Sequence, residues 1–202
     1  MRHNITKKVI SAMLSGVLML SLAGCGKAAK LPETVVNTSL VVEKDGKVVS
    51  YLVNTFDKDF YSLDGLTQMG QEEAEEFNAA HADAAEPPMA VKTVQMLEEG
   101  ATVQVVQEFA DTESYAAGEL SFFFSEATGI SVATVSDDSV DADKNGKFLS
   151  IGDTELFEES GVEVSLSELG DDGFKVVTYG NCVLMNGADE SGKIYSVYDF
   201  LE

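Results

Sequence analysis

The chain has no tryptophan, a single arginine (Arg2), two histidines and two cysteines among its 202 residues. Cations of any kind are scarce: 13 Lys+Arg against 35 Asp+Glu leave a formal net charge of -22. Past Gly24 the balance is 10 lysines against 35 acids, a charge of -25, with no arginine left. Phosphate contacts need clustered cations, so nucleic acid is excluded as a partner. Arginine-based clamps on phosphate or carboxylate are excluded with it. The sequence also has no G-x-S-x-G elbow, no S-x-x-K, no P-loop and no G-x-G-x-x-G past Gly24. A glycosidase working with two carboxylates needs no motif, but such enzymes usually use an aromatic sugar platform and there is no Trp here. The expectation is therefore a protein that is not an enzyme. What is present suits a folded body: 45% hydrophobic residues, and enough length for a real core.

Residues 1–25 have the three-part form of a secretory signal. Arg2, Lys7 and Lys8 precede an apolar run of 15 residues, Val9 to Ala23. That is short of the roughly 20 residues a membrane-spanning helix needs. The run ends in Leu22-Ala23-Gly24-Cys25, which resembles the lipobox of bacterial lipoproteins. The resemblance implies a diacylglyceryl group on Cys25, cleavage just before it, and a body anchored to the outer face of the cell membrane. Two acyl chains bury enough CH₂ groups for stable attachment, where one would be marginal. A short tether follows, with Lys27 and Lys30 able to meet anionic headgroups. With Cys25 consumed, Cys182 has no intramolecular partner, and its apolar setting predicts a buried, inert thiol.

Polar turns ending in Gly-Lys recur at 44–47, 144–147 and 190–193. Asp or Asn before Gly supports the positive φ of a hairpin turn, which predicts hairpins around these points, most firmly Ser39–Glu43 with Lys47–Val53. Strands are expected at Val91–Leu97, Thr102–Phe109, Val162–Leu166, Phe174–Tyr179, Cys182–Met185 and Ile194–Phe200. One principal helix is expected over Leu63–His81, capped by Ser62, with Leu66, Gly70, Ala74 and Phe77 on its apolar face. Asp111–Ala117 and Ser125–Gly129 read as short helical turns. The fold class is α+β: an antiparallel sheet with one principal helix, followed by a β-rich C-terminal part. The expected division is 1–24 signal peptide, 25–32 lipidated Cys and tether, 33–135 α+β domain, 136–147 acidic connection and 148–202 C-terminal part.

Val42-Glu43-Lys44-Asp45-Gly46-Lys47-Val48, Phe56-Asp57-Lys58-Asp59-Phe60-Tyr61, the helix ending Glu75-Glu76-Phe77-Asn78 and the closing Ile194-Tyr195-Ser196-Val197-Tyr198 together resemble a group of small clostridial surface lipoproteins. The resemblance covers much of the chain past Cys25 and includes no catalytic motif. It implies location and an α+β fold, and no chemistry.

The sharpest local pattern is Asp141-Ala142-Asp143-Lys144-Asn145-Gly146. Asp141, Asp143 and Asn145, with the Lys147 carbonyl as the next ligand, open as a calcium loop does. The twelfth position is Gly152 instead of a bidentate Glu, and Lys144 and Lys147 dilute the charge. Any calcium binding would fall in the weak extracellular range, roughly 10⁻⁴–10⁻³ M; an acidic turn without metal is the competing reading. Glu72, Glu73, Glu75 and Glu76 read as a solvated helix face, and His81 as a helix-end residue. Phe56, Phe60 and Tyr61, and Phe122-Phe123-Phe124, read as core, or as the place where an apolar partner would dock. Taken together, the expected role is a lipid-anchored surface protein with a binding or envelope-interaction role, whose partner is an unknown surface or envelope protein. A calcium-dependent adhesion or stability module is the alternative, and a small carboxylate hydrolase the third. A pocket with converging carboxylates of raised pKa would favour that last reading.

Overall fold

The computed structural model describes residues 35–56, 61–81, 86–97 and 102–202. Cys25 with the expected tether, Phe60 and residues 98–101 lie outside the described residues. In chain order the elements are β1 (Ser39–Val42), β2 (Val48–Thr55), α1 (Leu63–Ala80), β3 (Met89–Met96), β4 (Thr102–Phe109), α2 (Thr112–Thr128), β5 (Leu149–Ile151), α3 (Glu155–Ser160), α4 (Leu166–Leu169), β6 (Phe174–Tyr179), β7 (Cys182–Gly187) and α5 (Glu190–Leu201). The first sheet runs β1-β2-β4-β3 and is antiparallel throughout. The second runs β5-β7-β6, with β5 parallel and β6 antiparallel to β7. The chain is α+β, as its pattern predicts.

Local chemistry accounts for most boundaries. Glu43 and Lys47 close the β1–β2 turn, with Gly46 at φ 88°, the left-handed region that favours glycine. Helix α1 starts where Ser62 Oγ accepts the Gly65 N–H at 3.0 Å, satisfying one orphan donor. Helix α2 is capped by Asp111, whose Oδ1 accepts the Ser114 N–H at 2.6 Å, and stops at Gly129 with φ 73°. Asp189 caps α5 by accepting the Gly192 N–H at 2.8 Å.

The structure departs from the sequence pattern in four places. Residues 194–200 form part of helix α5, not a strand, because Asp189 caps it and Ile194, Val197 and Leu201, at i, i+3 and i+7, share a helical face that period-2 alternation would split. Residues 111–129 hold one continuous helix, and Phe122-Phe123-Phe124 lie on it. Val162 and Val164 do pack inward, but that segment pairs with no strand, and Leu166 opens the short α4 instead. The turns at 144–147 and 190–193 are likewise not hairpins: the first leads into β5, whose partner β7 is parallel, and the second lies in the first turn of α5.

The interior joins the two sheets. Val48, Ala74, Met89, Phe109 and Tyr115 form a cluster with Ile194, and Tyr198 packs on it. A second cluster sets Ala116 and Leu120 of α2 against Met185 of β7 and Val197 of α5. A third gathers Leu156, Phe157, Cys182 and Leu184, and a fourth Leu66, Val103 and Val105. Helix α2 thus sits between the sheets, with α5 packed along it. Gly118 lets the α1 side chain Phe77 approach α2 closely, since a Cβ there would lie 2.8 Å from the ring.

Candidate functional site

A groove of about 520 Å³ lies between α2, strand β5 and residues 132–136. Its floor is apolar, from Ala117 and Leu120 of α2 to Leu149 and Ile151 of β5. Its rim is acidic: Asp111, Glu113, Asp137 and Asp153 line it, with Lys147 opposing them. Each acid is fixed by a structural partner. Asp111 accepts from Ser114, and Asp137 Oδ2 accepts the Glu155 N–H at 2.8 Å. Asp153 Oδ1 accepts from Asn186 Nδ2 at 2.8 Å. Glu113 Oε1 accepts from Lys193 Nζ at 2.6 Å, and Glu190 accepts from the same ammonium at 3.1 Å. Burial acts to lower the Lys193 pKa, but the hydrogen bonds and charges of Glu113 and Glu190 outweigh it and leave it raised. Each rim acid is thus held through one oxygen, and its second oxygen has no partner among the described residues.

His81 lines the same groove at the end of α1, as a helix-end histidine. Its ring stacks on Phe77, and Nδ1 lies 2.8 Å from the Phe77 carbonyl. A carbonyl only accepts, so Nδ1 donates in this contact, leaving Nε2 as the other ring nitrogen. That Nε2 is buried without a partner among the described residues.

A second, smaller cavity of about 90 Å³ lies under the first sheet, between α1 and α2. Glu73, Gln107, Tyr115 and Glu119 line it. Tyr198 OH donates to Glu119 Oε2 at 3.0 Å and sits 3.0 Å from Tyr115 OH. Gln107 Nε2 donates to Glu73 Oε2 at 3.3 Å. Burial pushes the Glu119 carboxyl from its ordinary 4.5 up to about 7; the Tyr198 hydrogen bond opposes this and the Glu73 charge adds to it. Glu73 is raised too, by burial first, against the Gln107 hydrogen bond and with the charge of Glu76. Tyr115 and Tyr198 are raised chiefly by burial. A carboxyl raised to about 7, as Glu119 is, can donate a proton, and a second carboxyl raised by burial, Glu73, lines the same cavity. The space, however, fits about three waters, far below the roughly 300 Å³ at which pockets begin to hold an organic ligand.

The sequence reading places Glu73 on the solvated face with Glu72, Glu75 and Glu76; it turns inward instead. Its position seven residues after Leu66 puts it on the apolar stripe, a signal present in the spacing. Glu119 carried no sequence signal, because the helix that turns it inward was itself misread.

Asp141, Asp143 and Asn145 lie in an exposed turn before β5, and Lys147 reaches the groove. Asp143 Oδ1 accepts the Asn145 N–H at 2.6 Å, and its carbonyl accepts from Gly146 N at 3.0 Å. The Lys144 carbonyl accepts from Asn181 N at 2.7 Å, and the Asn145 carbonyl from Asn181 Nδ2 at 3.1 Å. The turn thus docks on the β6–β7 hairpin. Gly180 makes this contact possible, since any Cβ there would strike the Lys144 carbonyl. Among the described residues no three His, Cys, Asp or Glu side chains form a metal-binding group. Cys182 is 1% exposed, with Sγ 3.5 Å from the Asp143 carbonyl.

Comparison with known proteins returned no match: no family model fits the chain, and no curated protein or solved structure is similar to it.

Proposed function

We propose that the chain is a lipid-anchored bacterial surface lipoprotein whose folded body is a non-enzymatic binding module. The observation that carries this reading is Leu22-Ala23-Gly24-Cys25 behind a basic and then apolar leader. A diacylglyceryl group on Cys25 holds the body at the outer face of the cell membrane by burying two acyl chains. The first described residue, Val35, follows that anchor by ten positions, so the body stands close to the bilayer. Its acidity repels it from anionic lipid while attracting cationic partners. No helix among the described residues is long and apolar enough to cross a membrane. The groove beside β5 supplies the binding surface, with a volume inside the range of ligand pockets.

The test is acylation in the cell. Wild-type protein should take up labelled palmitate and fractionate with membranes, and Cys25→Ala should lose the label and either leave the membrane or accumulate unprocessed. Equal labelling and fractionation of the two would overturn the reading.

A further inference from the structure

We infer that the groove is a strand-addition site: it takes an extended, lysine- or arginine-bearing peptide of a partner protein as a further strand along the outer edge of β5. This rests on the reading of the body as a binding module and adds the chemistry of what is bound.

The phase of the β5–β7 ladder is fixed by two bonds, from Val183 N to the Phe148 carbonyl at 3.0 Å and from Gly152 N to the Met185 carbonyl at 2.9 Å. With Ser150 opposite Leu184, the parallel pattern commits both main-chain groups of Ser150 to β7. The N–H and C=O of Leu149 and Ile151 therefore point the other way, and they have no partner among the described residues. The groove lies along this edge. It is lined by Ala117 and Leu120 on the α2 side and by Leu156, of the other cluster, so it straddles both faces of β5.

The opposite wall is also unpaired backbone. Residues 132–135 are in no helix or strand and alternate between half-buried Val132 and Thr134 and exposed Ala133 and Val135. Val132 O accepts the Ser121 hydroxyl at 3.1 Å, but the N–H groups of 132–135 have no partner among the described residues. A bare strand edge facing a second bare segment is a template for an extended peptide, whose main chain supplies the bonds both lack. Three residues of β5 span about 10 Å at the strand rise of roughly 3.3 Å per residue, which pairs with three or four peptide residues. The rim selects among peptides. Asp111, Glu113, Asp137 and Asp153 oppose Lys147 and the nearby Lys193, so cationic side chains gain and anionic ones are repelled.

The test uses the full-length lipoprotein in detergent and a labelled peptide alternating valine and lysine. Two controls accompany it, one with glutamate in place of lysine and one N-methylated on alternate amides. Binding of the lysine peptide should be roughly tenfold tighter or more than either control. Hydrogen exchange at the Leu149 and Ile151 amides should slow at least about tenfold in the complex. Ala133→Lys with Val135→Lys, at exposed positions on the wall, should weaken binding roughly tenfold without lowering the melting temperature. Absence of binding, or binding that leaves the Leu149 and Ile151 amides exchanging freely, would overturn the inference. So would protection that grows with protein concentration and needs no peptide, since a second copy would then occupy the edge. Palmitate labelling of Cys25 reads the anchor separately, so the loss of either result leaves the other standing.

Discussion

Glu119→Gln should make the protein more stable, and only at the right pH. Glu119 is 8% exposed, and burial raises its carboxyl from 4.5 to about 7. One pKa unit corresponds to about 1.4 kcal/mol, so keeping this group buried and ionised costs the folded chain about 3 kcal/mol relative to the unfolded one. Below the unfolded value both states hold the proton and nothing is lost. Between about pH 4.5 and pH 7 the unfolded chain releases its proton while the native chain keeps it, so stability falls as pH rises. Above about pH 7 the full penalty is present. Glutamine keeps an acceptor for the Tyr198 hydroxyl, which donates to Glu119 at 3.0 Å, and carries no charge to penalise. For a chain of this size 1 kcal/mol shifts the melting temperature by about 2–4 °C, so the variant should melt about 6–12 °C above wild type at pH 8. At pH 4 the two should nearly coincide. Thermal melting followed by circular dichroism across this range decides it. A difference that stays constant with pH, or no gain at pH 8, would refute the placement of Glu119 as a buried carboxyl.

Other expectations follow from packing. Gly187→Ala would drive a Cβ into the main chain of Gly192 and Lys193, and should cost about 3 kcal/mol or more by denaturant melting; a loss of less than 1 kcal/mol would contradict that contact. Cys182, buried at 1% exposure, should react with a thiol reagent roughly a hundredfold more slowly in the native chain than in the denatured one, and equal rates would show that it is accessible. The Asp143 carboxylate already binds the Asn145 N–H, so the melting temperature should be indifferent to millimolar Ca²⁺. A Ca²⁺-specific rise of several degrees, lost in Asp141→Ala/Asp143→Ala, would instead establish a calcium site.

Much of the first sheet and its helix is legible in the residues. The Asp45-Gly46 turn, the Ser62 cap and the period of Leu66, Gly70, Ala74 and Phe77 each act locally, and local signals survive folding. The helices α2 and α5 were harder to read for one physical reason. Phe, Tyr and Val favour strands by side-chain shape, and in Phe122-Phe123-Phe124 and Ile194–Tyr198 that preference competes with helical packing against distant partners. The caps that decide the matter, Asp111 with Gly129 and Asp189, were present all along. The groove belongs to a different class of feature. Strand β5 has three residues and owes its existence to β7, more than thirty positions away, so nothing near it in sequence announces an edge. Glu73 was reachable from spacing alone, whereas Glu119 became visible only once α2 was in place.

Ile194 and Tyr198 of α5 pack in one cluster with Val48 and Phe109 of the first sheet, so the two ends of the described chain share an interior. The strands of the antiparallel sheet are complete by residue 109, yet part of the apolar interior they share with Ala74 of α1 and Tyr115 of α2 is covered by residues 190–201. A chain elongating from its N-terminus would carry that half-built interior through the synthesis of some eighty further residues. Contacts between residues this far apart in sequence raise the contact order, which slows folding. A chain cut before Glu190 would keep its β-strands in sequence and lose the wedge that locks them.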